Sequence, residues 1–130
     1  MANIAHNPAD VAPPFGGYSH GVEIGPGARL LVISGEIPEH PDGQIPMGFD
    51  NQCEAVWDNI EAILAAARMG VPDLVKVTTF LTHPDQVVAN REIRTRRLKG
   101  ARPALTVVIV QTLESAWLLE MEAIAAGAPE

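Results

Sequence analysis

Between residues 47 and 69 the side chains Phe49, Cys53, Val56, Ile60, Leu64 and Ala67 return at spacings of three and four. That is one face of an amphipathic helix. On either side the period changes. ARLLVISGEI (28–37), LVKVTTFLT (74–82) and ALTVVIVQTL (104–113) are apolar and β-branched, which reads as strand. A helix set between strands in a chain of 130 residues confines the fold to helices packed on a sheet within one domain.

The remaining segments complete that pattern. Residues 1–15 are polar and Pro-rich without a period and read as an N-terminal arm; 16–127 form the single domain. Residues 17–24 suit a strand that Gly25-Pro26-Gly27 turns into the next, giving a hairpin. PEHPDGQIP (38–46) is a loop, and Gly70 stands where a helix stops. Residues 85–99 form a second, weaker helix. AWLLEMEAIA (116–125) is a last strand, with Glu120 and Glu122 on one face and Leu119, Met121 and Ala123 on the other. The order ββαβαββ is α+β, with two helices on one face of a mostly antiparallel sheet. The other face is bare, and its apolar residues call for a partner, which a small domain finds by oligomerising.

Hydrophobic residues make up 47% of the chain and charged residues 19%, the balance of a packed globule. Only 5% are aromatic, so Val, Ile, Leu and Ala build the core. No apolar run is long enough for a membrane span, and no signal-peptide pattern opens the chain; a cytoplasmic protein is expected. The net charge of −7 speaks against a nucleic-acid binder. The basic residues are uneven: Arg91, Arg94, Arg96, Arg97, Lys99 and Arg102 are six of the nine. The simplest reading is a solvated helix face; an anion-binding or subunit-contact patch is the sharper one.

Chemical motifs are few. His6, His20, His40 and His83 share no metal-ligand spacing, and Cys53 is the only cysteine, so neither a metal site nor a disulfide is expected. Phosphate-binding glycine motifs and a nucleophile elbow are absent, which leaves Ser34 a poor hydrolytic nucleophile. Glu120 and Glu122 are unusual in an apolar strand. They suit either a solvent-facing edge or a cleft in which one carboxylate holds a water. Gly17-Tyr18-Ser19 and Ser34-Gly35-Glu36 are either turn residues or places where the backbone approaches a ligand.

These positions carry a resemblance. GGYSHGVEI (16–24), LLVISGEIPEHPDGQIP (30–46), CEAVWDNIEAILAAARMG (53–70), PDLVKVTTFLT (72–82), RPAL (102–105) and LEMEAIA (119–125) follow in order. Together they resemble the reactive intermediate deaminase (Rid, or YjgF) family across nearly the whole domain. The resemblance implies a chorismate-mutase-like fold and a homotrimer whose sheets form a central barrel. It also implies small-molecule clefts between subunits, no cofactor or metal, and hydrolysis of enamines and imines such as 2-aminoacrylate. Carried onto this chain, Tyr18 matches the cleft tyrosine, Ser34 and Gly35 the cleft-lining backbone, and Glu120 the glutamate that positions water. Glu122 matches the second acid of the closing motif.

One departure bears on activity. Deaminating members follow Pro-Ala with an Arg that grips the substrate carboxylate; here Pro103-Ala104 is followed by Leu105. Leu offers no charge-assisted fork, and Arg102 lies three residues earlier along the chain. The chain resembles an arginine-lacking subgroup. Three readings follow: an enamine or imine hydrolase with a non-standard substrate, a non-catalytic metabolite-binding or regulatory trimer, and a ribonuclease of the kind named among relatives. The net charge and the lack of a histidine pair weigh against the third.

Overall fold

The computed structural model describes residues 2–130. Eight strands and helices follow in order: β1 (Ile4–His6), β2 (Gly21–Glu23), β3 (Arg29–Glu36), α1 (Phe49–Ala66), β4 (Leu74–Leu81), α2 (Val87–Leu98), β5 (Ala104–Ile109) and β6 (Leu119–Gly127). The main sheet has the order β3-β6-β4-β5. Its β3–β6 and β6–β4 pairs are antiparallel and β4–β5 is parallel. The fold is α+β, a mixed but mostly antiparallel sheet with both helices on one face.

The register explains which residues are inside. Val77 pairs with Ala123, Thr79 with Met121 and Leu81 with Leu119, and all six are buried. They face the α1 stripe of Cys53, Val56, Trp57, Ile60 and Leu64, joined by Ile93 and Leu98 of α2. The alternate residues point away from the helices. On that face Leu30 and Val32 are 61% and 76% exposed, beside Glu120, Glu122, Phe80 and Val108. One copy of the chain therefore leaves an apolar sheet face uncovered, as the alternation predicts.

Two expectations at the N-terminus fail. Residues 17–24 do not form a hairpin with β3. Instead β2 pairs with β1, Ile4 opposite Glu23 and His6 opposite Gly21. Part of the supposed arm is thus a strand. Asn3 anchors it, donating from Nδ2 to Ala126 O at 3.1 Å and accepting from Gly25 N through Oδ1. Three residues are too few to show a period, so the pairing left no trace in the pattern.

Gly70 does not end α1 in a left-handed conformation. Arg68 does so, with φ 55°, and Met69 N donates back to Leu64 O at 2.9 Å. Gly70 is extended, its N–H given to Asp73 Oδ2. β5 stops at Ile109 and β6 starts at Leu119, both inside the expected spans; 110–118 form a loop in which the single Thr112 hydroxyl proton lies within reach of Glu114 O (2.9 Å) and Trp117 O (2.8 Å).

Candidate functional site

The residues singled out in the sequence fall into two groups at different places on the sheet. The first lies where β3 meets β6. Ile33 pairs with Ala123 and Glu36 with Met121, so Ser34 and Gly35 together face Glu122. This is a β-bulge. Glu120 lies next to it, half-buried, opposite Phe80 of β4. Its carboxylate covers Gly35 so closely that a Cβ there would overlap Oε2 and stand 3.0 Å from Cδ. Glycine is therefore required for this close approach. Burial, and then the charge of Glu120, hold the Glu36 carboxyl above its ordinary range. Glu122 is exposed, opposite Thr78.

The second group lies at the β5 edge. Ser19 N donates to Pro103 O at 3.1 Å and bridges Ala104 in parallel. This lays the segment from Tyr18 to His20 along the start of β5, and the Tyr18 ring meets that of His20 edge-on at 5.6 Å. Leu105 pairs with Val77 and so points to the helix side, where it packs on the core. Tyr18 and Leu105 share a cavity of about 220 Å³ with Val107 of β5 and with Asn90, Arg91 and Arg94 of α2.

Ser34, Gly35 and Glu120 do not line that cavity. Two strand spacings, roughly 10 Å, separate β6 from β5, and Glu120 and Leu105 point to opposite faces. In one copy the two groups therefore stand apart. Arg102 does not line the Leu105 cavity either. It lines the largest cavity, about 640 Å³, with Lys99, Glu61 and Asn3, where none of the five candidates reaches. That cavity is larger but has none of the expected chemistry, so size alone does not mark the site.

The basic stretch is not simply a solvated face. Arg97 donates to Glu54, Asp58 and Glu61 of α1 at 2.6–2.8 Å, and Arg96 also pairs with Glu54. Burial alone would raise the Glu54 carboxyl, but hydrogen bonds from Arg97 and Arg96 outweigh it and hold it low. Arg94 is buried. The sequence held a signal for it: Asn90, Arg94 and Leu98 recur every four residues along the inward stripe of α2. Cys53 is also buried, and burial, with Glu54 and Asp50 nearby, pushes its thiol up to about 12. Among the described residues no three His, Cys, Asp or Glu gather as a metal site, and no helix is long and apolar enough to cross a membrane.

Comparison with known proteins places this architecture. A family model described as Endoribonuclease L-PSP matches residues 9–127. A RutC family protein of Pyrococcus abyssi is 34% identical over 114 residues, 86% of this chain and 87% of its own. The crystal structure of YyfB from Yersinia pestis, a conserved Rid-family protein of unknown function, matches with a TM-score of 0.85 at 29% identity, over 97% of this chain and 99% of that one. The structure of Escherichia coli TdcF with bound serine matches with a TM-score of 0.72 at 29% identity, over 88% and 91%. Sequence and fold thus agree over nearly the full length, and the chain belongs to the Rid (YjgF, L-PSP) family.

Proposed function

We propose that this chain binds a small metabolite in clefts formed where copies of it meet, and hydrolyses an enamine or imine there. One observation carries the reading: Tyr18 and Leu105 lie at the β5 edge while Gly35 and Glu120 lie across the sheet, beside a bare apolar face. Apposing the β5 edge of one copy to the β3–β6 region of the next would complete a site that one copy lacks. A homotrimer with the open faces turned inward as a barrel also covers Leu30 and Val32. The serine held by TdcF supports a ligand of amino-acid size.

The chemistry asks little of the protein. An enamine first takes a proton at its terminal carbon and becomes the iminium; Glu120 then accepts a proton from a water as its oxygen attacks the C=N carbon. The carbinolamine then collapses, the proton goes to nitrogen, and ammonia leaves a carbonyl product. Tyr18 supplies a wall and a hydroxyl; the Ser34–Gly35 backbone leaves room for the carboxylate. Leu105 makes its end of the cleft apolar, so the substrate differs from that of arginine-bearing relatives.

The test is ammonia release from freshly generated 2-aminoacrylate and from 2-imino acids with a larger apolar side chain. Wild type should favour the latter, Glu120→Gln should lose at least about tenfold, and Leu105→Arg should gain on 2-aminoacrylate. Wild-type turnover of 2-aminoacrylate equal to that of an arginine-bearing relative would defeat the reading of Leu105.

A second reading, metabolite binding without turnover, is favoured by Leu105 itself. It predicts ligand-induced thermal stabilisation with no ammonia release and binding unchanged in Glu120→Gln. The ribonuclease activity that the family description names finds little support, since Arg96 and Arg97 are engaged by acids of α1 and the net charge is −7.

A further inference from the structure

Arg94 is 6% exposed, yet among the described residues its guanidinium makes no hydrogen bond and meets no carboxylate. The groups that act on its charge are burial first, then the repelling Arg91 and a weak contribution from Cys53. A buried cation is normally paired, because desolvation without a partner is unfavourable. Its neighbours Arg96 and Arg97 show that acids were within reach of this helix; Arg94 faces the other way, into the cavity with Tyr18 and Leu105. Arg91 lines the same cavity, its guanidinium 5.5 Å from the Phe15 ring centroid. Two cations, one of them on a buried side chain with no acid beside it, converge on a pocket that no acid lines.

We propose that Arg94, assisted by Arg91, is an anion clamp that holds the carboxylate of a small, otherwise apolar organic acid from the helix side of the cleft. The inference rests on reading the Tyr18 cavity as the ligand site and names the ligand class for it. A planar guanidinium matches a carboxylate through two parallel N–H bonds. Leu105, Val107 and Val87 give the rest of the ligand apolar walls. At about 220 Å³ the pocket is smaller than those that enclose drug-sized molecules. The ligand's acid end therefore lies on α2, and Leu105 meets its apolar part.

The experiment measures binding to the full chain by calorimetry and thermal shift, with 2-oxobutanoate, its uncharged methyl ester and inorganic phosphate as probes. Wild type should bind 2-oxobutanoate in preference to the other two. Arg94→Met should weaken it at least about tenfold, the loss expected for a charge-assisted pair, and Arg91→Met should weaken it less. Without ligand, Arg94→Met should melt at or above the wild-type temperature, since it removes a charge that no acid compensates. Should that variant fail to fold, Arg94→Lys, which keeps the charge without the fork, must still show the loss. Equal binding of the ester, tighter binding of phosphate, no binding by wild type, or unchanged binding in the arginine variants would each overturn the clamp. The hydrolase reading fails separately: carboxylate binding through Arg94 with no ammonia release from any imine removes the chemistry and keeps the clamp. Imine turnover that ignores both arginine variants does the reverse.

Discussion

The Glu120 carboxylate rests on the backbone of Gly35, at a bulge where any side chain would displace it. The obstacle a Cβ would meet is the far end of a flexible side chain, not backbone. Gly35→Ala should therefore cost little stability, below about 1.5 kcal/mol, while moving the proposed water-holding carboxylate out of place. Ammonia release should fall at least about tenfold with the urea midpoint nearly unchanged. Full activity in Gly35→Ala would show that the position of Glu120 over this glycine has no catalytic meaning.

Glu36 gives a pH dependence with a definite sign. Its folded-state carboxyl is raised above its ordinary range by burial and by the charge of Glu120. The unfolded chain therefore loses that proton more readily, and stability falls as pH rises through the folded value. Below the ordinary carboxylate range the penalty is absent. Glu36→Gln should raise the melting temperature at about pH 7 and give no gain at about pH 3.5. An equal gain at both pH values would assign the effect to packing instead of charge.

Arg97 ties α2 to α1 through three carboxylates, with its own side chain 15% exposed. Arg97→Met leaves Asp58 and Glu61 without their cation and Glu54 with Arg96 alone. The acids are partly solvated, so the cost should be about 1–2 kcal/mol and not the larger figure for fully buried pairs. Urea unfolding at low and high salt measures it, and the deficit should shrink as salt screens the acids. A deficit that ignores salt would mean that the stem's packing, not its charge, holds the helices.

Cys53 should be inert. Its buried thiol is pushed up to about 12, so the reactive thiolate is scarce at ordinary pH. A thiol reagent at about pH 8 should label the native protein only at the rate of unfolding and the denatured protein at once. Rapid native labelling would contradict the burial.

Much of this architecture was legible because its signals are periodic. The stripe from Phe49 to Leu64 does lie on the core, and the alternation of Leu119, Met121 and Ala123 with Glu120 and Glu122 does divide the two faces. β1 was not legible, since three residues held by Asn3 carry no period. The arginines were visible as a basic run, but pattern alone could not separate Arg97, which faces acids, from Arg94, which faces a cavity. Nor could it show that Tyr18 and Glu120 stand on different parts of the sheet, because strand order is not written in local sequence. Leu105 stood out only through the resemblance, which implies an Arg there; its helix-side orientation required the β4–β5 register.

The central claim is that one copy holds only parts of a cleft that neighbouring copies complete. The mass of the protein in solution, by light scattering at micromolar concentration, tests it most directly. A single species of three times the chain mass is expected. A monomer would leave Leu30 and Val32 bare and the Tyr18 and Glu120 half-sites apart, and would contradict it.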